Sequence, residues 1–499
     1  MKDWLKKNRG LLIALGITLA IIVYGSYGLA NKKELIVGMI PLTILMAWLF
    51  VARFETTLLL MALLTPFAIN VALFQEMELS LPVEPMMILF TAMFFFRVLV
   101  DKTYDKQLLR HPVSRLLLAS LAWMSITSAT SEMPWVSIKY TLARVWFVVP
   151  FFFAAVQIFK SHKRIRQFYW AYAIGLAIII LITTSKTLGN FSDLQTMHRV
   201  MKPFYNDHTA YGCVIALMLP VAFYFLFQKV KGDKKDGKAI ATNLLQHILH
   251  IAFFILLCVG LVLSYCRAAW ISVAGVLVVY ILIRMRMKIK WMLMLFCLGV
   301  GLFFVHQSDI LYNLGKNHQD SSYTLADQLK SISNISTDAS NLERLNRWAS
   351  AFRLWEESPV VGCGPGTYQF LYGSRQRSYQ LSTISTNAGD LGNAHSEYIG
   401  PLTEQGVPGV ALVALLFLTT FATGVRVYRT AKDPHVARIA LAFTLSLLTY
   451  YIHGVFNNFL DTDKLSVPFW AFTAVIVALD VYSEKKECEI DNSNKRYIK

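Results

Sequence analysis

Charge is scarce in this sequence. Asp, Glu, Lys and Arg together supply 16% of 499 residues, against 55% apolar side chains and a mean hydropathy of +0.47. That balance excludes the two or three soluble domains that a chain of this length would otherwise form, and it makes the bilayer the main solvent. Cysteine is sparse as well. Of six, Cys213, Cys258 and Cys297 lie inside apolar runs, and no Cys-x-x-Cys or Cys/His spacing occurs, so neither a disulfide framework nor a zinc site is indicated. The polar/apolar alternation of a transmembrane β-barrel is missing too. There is no phosphate-binding Gly-x-x-x-x-Gly-Lys-Ser/Thr, no Gly-x-Gly-x-x-Gly, no Gly-x-Ser-x-Gly and no His-Glu-x-x-His. Nucleotide, serine-hydrolase and metal chemistries are therefore unsupported, and no cofactor is expected.

What the chain has in abundance is apolar runs. They fall near 11–30, 36–51, 56–75, 83–100, 113–129, 143–158, 167–185, 209–228, 246–264, 268–284, 289–306, 398–425, 437–458 and 465–483. Each reads as a helix crossing the hydrocarbon, because a helix satisfies its own backbone hydrogen bonds there. The expected fold is an all-α integral membrane protein with about 12–14 transmembrane helices. The net charge of +17 sits in short Lys/Arg clusters between runs, such as Lys160, Lys163, Arg164 and Arg166, and these alternate from side to side apart from Lys32 and Lys33. That pattern reads as topology with both termini cytoplasmic, and not as a nucleic-acid surface. The first run follows Lys2, Lys6, Lys7 and Arg9 but has no convincing cleavage site, so it reads as a retained helix. The expected division is a transmembrane bundle over 1–306, a large outer loop over 307–397, further transmembrane helices over 398–483 and a cytoplasmic tail over 484–499. A loop this long is more than a connector. Within it, Leu342 to Glu356 has helical spacing and Ser331 to Ser340 reads as a polar stretch.

Three outer features carry possible chemistry. Arg267, in Ser264-Tyr-Cys-Arg-Ala-Ala-Trp270, is wedged between two apolar runs, where an ionisable side chain needs a partner such as a headgroup or substrate phosphate, or else snorkels to the interface. Glu343-Arg-Leu-Asn-Arg-Trp348 precedes the glycine-rich Pro359-Val-Val-Gly-Cys-Gly-Pro-Gly366. Arg344 and Arg347 share a helix flank and face either an anion or water, and the glycines allow a ligand to approach or merely form a turn. Asn393-Ala-His-Ser-Glu-Tyr398, with Glu404-Gln-Gly406 after it, ends the loop. His395 there suits proton removal from a hydroxyl, with Glu397 or Glu404 to orient it, or it is a surface residue. Lys202, Tyr205, Asn206, Asp207 and His208 form a weaker cluster before a span, where polar caps are common. His453 and Asn457 read as interior polar groups between helices.

Taken together these residues resemble the O-antigen ligase and O-antigen polymerase superfamily of bacterial envelope proteins. The resemblance covers about 206–425 and rests on the Arg267 element, on Arg344 with Trp348, Pro359, Gly362, Gly364 and Gly366, and on His395, Ser396, Tyr398, Glu404 and Gly406, in the family's order. Ser396 stands where the family usually has Asn, and twelve spans are commoner in the family than the fourteen read here. The resemblance implies an inverting, metal-independent glycosyl transfer at the periplasmic face of the inner membrane, from an undecaprenyl-diphosphate-linked glycan to an acceptor hydroxyl. In that scheme Arg267 and Arg344 clamp the diphosphate and His395 is the base. Arg347, Lys202, Asp207, His208, Tyr398 and Glu404 are the candidate substrate-binding residues.

The leading expectation is a ligase acting on lipid A core, with membrane lipids as surroundings and no nucleic-acid partner. The close alternative is a polymerase using the same donor. A single long outer loop favours the ligase, and an enzyme glycosylating exported proteins stays open. A lipid-linked glycan flippase or other transporter is the alternative of another class, but internal repeats and charged or broken midplane spans are not seen.

Overall fold

Apolar runs become helices wherever no residue interrupts them. The computed structural model describes residues 53–74, 77–101, 104–187, 199–228, 237–292, 294–295, 298, 339–381, 385 and 392–497. The chain is an all-α integral membrane protein. Among the described residues nine helices are long and apolar enough to cross a membrane. In chain order the main helices are α1 (Phe54–Leu64), α2 (Val83–Asp101), α3 (Pro112–Ala129), α4 (Pro134–Ile158), α5 (His162–Thr187), α6 (His208–Leu226), α7 (Gly237–Leu263), α8 (Arg267–Arg284), α9 (Ala339–Glu357), α10 (Ile399–Thr430), α11 (Pro434–His453) and α12 (Asp463–Tyr497). The expected spans 11–30 and 36–51, most of 289–306, and the loop from 307 to 338 lie outside the described residues.

Two expectations change. The run 56–75 is not one span: α1 stops at Leu64, Pro66 lies in a 3-10 turn, and Ile69–Phe74 pairs antiparallel with Met77–Leu81 as β1 and β2. Pro66 lacks the N–H a continuing helix needs, and β-branched Ile69 and Val71 favour extended chain. The gap expected between the runs 113–129 and 143–158 shrinks because α4 begins at Pro134, a residue well suited to a first helical turn, and runs on through a π-helical stretch at Val149–Ala154.

Burial orders the bundle. The apolar window of α12 is 89% buried and forms its axis, whereas the windows of α2, α7 and α8 are each 28% buried and form a rim. Rim residues such as Leu99, Phe96 and Leu277 are more than half exposed, a distribution that water disfavours and acyl chains accept. Helices α6, α8 and α11 pack on one another, and α10 packs on α3, α9 and α11. At the start of α6, a Cβ on Gly212 would come within 2.6 Å of Cys266 Cβ, so glycine is what lets this helix abut the turn that begins α8.

Helix α10 is broken near its start. Gly406 has φ of 69° and Pro408 follows it. Pro408 has no N–H for the Glu404 carbonyl, so the kink leaves carbonyls that must find donors elsewhere. The glycine-rich turn after α9 provides them: Gly364 N–H donates to Glu404 O at 2.9 Å and Cys363 N–H to Thr403 O at 3.1 Å. In return Val407 N–H donates to Pro359 O at 2.9 Å, and Trp123 Nε1 of α3 donates to Gln405 O at 2.9 Å. The motif glycines therefore form a clasp between α9 and α10. Gly364, at φ of 112°, leaves no room for a side chain, since a Cβ would fall 1.9 Å from Ser131 Oγ. Gly364→Val should lower stability by about 2–6 kcal/mol, from left-handed strain plus overpacking. Gly400→Ala, whose methyl meets nothing within 4 Å, should hold or raise it. Thermal unfolding of both purified variants in one detergent checks this, and equal midpoints would contradict it.

Candidate functional site

Two helix starts meet at one end of the bundle. Asp207 caps α6, its Oδ1 accepting from Thr209 N–H and Ala210 N–H, both at 2.8 Å. Helix α8 starts from a tight turn in which Ser264 Oγ accepts from Cys266 N–H at 3.3 Å and Tyr265 takes a left-handed φ of 50°. Cys266 Sγ lies 3.8 Å from Thr209 O, which ties the two starts together. Arg267 is the first residue of α8. A helix N-terminus carries partial positive charge and unsatisfied N–H groups, so an arginine there adds to a field that favours anions.

Arg344 enters from α9. Its Nε donates to Phe456 O at 3.2 Å, and its charge, like that of Asp207, acts on both Cys266 and His395. The side chain therefore stands between the α8 start and the residues preceding α10. His453, with Nε2 at 3.2 Å from Asn457 Nδ2, lies beside Arg344 and Asp207, so the pair that read as interior polar groups also walls this site.

His395 is held in a left-handed conformation, φ 47°, with its N–H on Asn393 Oδ1 at 3.1 Å. Non-glycine residues in this region carry strain and gather at functional sites. Burial, then the neighbouring Arg344 and Arg347 charges, push its conjugate acid down to about 4, while Asp207 and Glu343 act in the opposite sense. The ring is therefore neutral near pH 7 and able to accept a proton.

The other sequence candidates are placed differently. Arg347 is buried, its Nε on Glu343 Oε1 at 2.6 Å and its guanidinium 4.0 Å from the Tyr372 ring centroid. Tyr368 Oη donates to its carbonyl at 2.8 Å, so Arg347 is built into the packing of α9. Tyr398 Oη donates to Tyr451 O at 2.8 Å. Glu404 Oε1 accepts Tyr368 N–H at 3.2 Å as part of the clasp. Glu397 Oε1 accepts Phe459 N–H and Leu460 N–H, both at 2.9 Å, and the Tyr450 hydroxyl. The expectation that Glu397 or Glu404 orients His395 is thus replaced: both carboxylates fasten backbone. Lys202 is exposed, and His208 is the first residue of α6.

Sequence reading passed over two charged groups at this end of the bundle. Arg144 lay inside an expected span, which by itself marks an ionisable residue for attention. Its Nη1 donates to Leu460 O at 2.8 Å and its Nη2 to Tyr140 Oη at 3.1 Å. Asp461-Thr-Asp463 is an Asp-x-Asp pair whose members diverge. Asp463 accepts from Ser80 Oγ at 2.9 Å and pairs with Lys464 Nζ at 3.0 Å, while Asp461 turns toward Arg144 and Glu397. Among the described residues no group of three His, Cys, Asp or Glu side chains is placed to hold a metal ion.

Residues 252–414 match the protein-family model described as O-antigen ligase. This region is similar to the O-antigen ligase superfamily. Arg267, Arg344, His395 and the whole glycine clasp fall inside the ligase-like region, whereas α6 with Asp207 and the 453–461 segment lie outside it and complete the site from either side. A search of curated proteins gives no match to the chain.

The histidine has a pH signature. His395 binds its proton less readily when folded than at its ordinary value of 6.5, so the unfolded chain takes up the proton first. Its contribution to stability is therefore present above about 6.5 and declines as pH falls toward about 4. Nitrogen-15 histidine spectra assigned with His395→Gln should show a midpoint near 4, and a midpoint near 6.5 would contradict the burial and the two arginines.

Proposed function

We propose that the chain is an O-antigen ligase of the bacterial inner membrane, transferring a glycan from undecaprenyl diphosphate to a sugar hydroxyl of lipid A core at the periplasmic face. The observation that carries this reading is the convergence of Arg344 and two helix starts, one bearing Arg267, on a neutral buried His395 within the region that matches O-antigen ligase. An anion with several oxygens suits the first group, because guanidinium forks and helix N-termini both bind phosphate. A neutral imidazole suits the second role.

In this reading the acceptor hydroxyl gives its proton to His395 as its oxygen attacks the anomeric carbon from the face opposite the diphosphate. The bond from the anomeric carbon to the diphosphate oxygen breaks, configuration inverts, and the leaving undecaprenyl diphosphate keeps the electron pair. Arg267 and Arg344 stabilise the charge that grows on that oxygen. His395 then releases its proton to water. The lipid diphosphate is already an activated leaving group, so the scheme needs no nucleotide or metal. A polymerase would share every step and differ in the acceptor, a second lipid-linked glycan.

Purified protein in detergent with the lipid-linked glycan, lipid A core and EDTA tests the reading. A shifted lipopolysaccharide band supports the ligase, whereas chain growth on the lipid carrier alone makes the enzyme a polymerase. Arg344→Ala, Arg267→Ala and His395→Ala should each lower transfer by at least about a hundredfold with membrane insertion intact, and a fully active Arg267→Ala protein would sink the clamp. Arg347→Ala should act on stability instead. It strands Glu343 in a buried pair, at a cost of about 3–5 kcal/mol, which reads as a lowered unfolding midpoint with a smaller loss of turnover per folded molecule.

A further inference from the structure

A second chemical environment adjoins the first. At the same end of the bundle a cavity of about 100 Å³ is enclosed by α3, α4, α10, the start of α12 and the 393–397 and 458–461 segments, room for roughly seven to ten waters and hence in the size class of one sugar ring. His395 and Arg344 do not line it, but Asn393, Ala394, Ser396 and Glu397 do. The backbone bearing His395 is therefore the partition between this cavity and the arginine side.

The charge of the two sides differs. The arginine side carries Arg267, Arg344 and Arg347 against Asp207 and Glu343, the last paired with Arg347. The cavity has one cation, Arg144, against Asp461, Glu404 and Glu397, a set that repels a further anion. Asp461 is an exposed carboxylate on the cavity lining, near Arg144 and Glu397. Two polar atoms on the lining have no hydrogen-bond partner among the described residues: Asn458 Oδ1, an acceptor, and Nε1 of the 3% exposed Trp470, a donor. Buried groups of this kind are rarely left unmatched, and a hydroxyl answers both because it donates and accepts. The deeper wall is apolar, with Leu117, Leu121, Leu416 and Phe417, and suits the C–H face of a sugar ring.

We propose that this cavity is a binding subsite for a neutral, hydroxyl-rich sugar ring, with Asp461, Asn458, Arg144 and Trp470 as its polar contacts, and that it presents the ring to His395. The assignment of that presentation rests on the transfer reading above; the sugar binding does not. The ring belongs either to the acceptor or to the first residue of the donor glycan, which share the same chemistry.

Gly400 gives a clean test, because it lines the cavity and a Cβ there meets nothing within 4 Å. Gly400→Leu puts a side chain into the space from a position whose Cβ is unopposed. The unfolding midpoint of the full-length protein in detergent is measured against methyl glucoside, methyl galactoside, N-acetylglucosamine and inorganic pyrophosphate. At least one neutral sugar should raise the midpoint of the wild type and fail to raise that of Gly400→Leu or Asp461→Asn, while pyrophosphate raises all three alike. No shift with any sugar, or an equal shift in Gly400→Leu, overturns the proposal. In the transfer assay Gly400→Leu should raise KM at least about tenfold for the substrate whose ring is bound. A rise for lipid A core assigns the subsite to the acceptor, a rise for the lipid-linked glycan assigns it to the donor, and no change in either overturns the presentation to His395. Sugar binding without any transfer activity would refute the ligase reading and leave the subsite standing.

Discussion

The arrangement depends on a proline that removes one helical hydrogen bond. Without an N–H at Pro408 the Glu404 carbonyl is left free, the left-handed Gly406 turns the Val407 N–H from Thr403 O to Pro359 O, and the two freed carbonyls are taken by Gly364 and Cys363 from the turn after α9. Each backbone bond is individually modest, but leaving such groups unmatched in a buried place is costly. The clasp therefore fixes α9 against α10. One of these helices carries Arg344 and the other is preceded by His395, so the spacing of these two side chains is set by backbone pairing several residues from both. Glu397 does the same for the segment 454–460, which receives Arg344 on the Phe456 carbonyl.

Electrostatics then divides the site. On one side of the 393–397 backbone the cations and two helix starts favour an anion, and burial, then Arg344 and Arg347, hold His395 neutral. On the other side carboxylates, amides and an indole favour hydroxyl groups. A glycosyl transfer from a lipid diphosphate asks for this division, since leaving group and attacking group differ in charge and must lie on opposite faces of the sugar being moved. Anion binding at Arg344 would offset one of the charges that depress His395, so the histidine becomes a stronger base when the leaving group is in place.

Much of the fold was legible because its signal is thermodynamic and local. Apolar runs near 20 residues admit few solutions in a bilayer, and the helical spacing from Leu342 to Glu356 describes most of α9. Legibility failed where a single residue outweighed a run, as at Pro66, which turns the end of an expected span into a hairpin, and Pro134, which starts α4 well before its apolar stretch. For the candidate site the motif order drew attention to Arg267, Arg344 and His395; the structure sets Arg344 near His395 and near Cys266, the residue before Arg267. Their neighbours pair in ways that no motif states: Tyr398 holds the Tyr451 carbonyl of α11, Glu404 holds the Tyr368 N–H, and Gly364, which the sequence leaves between ligand approach and a turn, holds the Glu404 carbonyl that the kink frees. Arg144 and Asp461 were hidden because one lay inside an apolar run and the other in a short connection, and only packing brings them to one cavity.

The most direct test of the account is binding of undecaprenyl diphosphate to purified wild type, Arg344→Ala and His395→Ala in the same detergent. If arginine holds the leaving group and histidine only moves a proton, His395→Ala binds as tightly as wild type and Arg344→Ala binds at least about tenfold more weakly. Equal binding by all three proteins, or loss confined to His395→Ala, would contradict the assignment of the two roles.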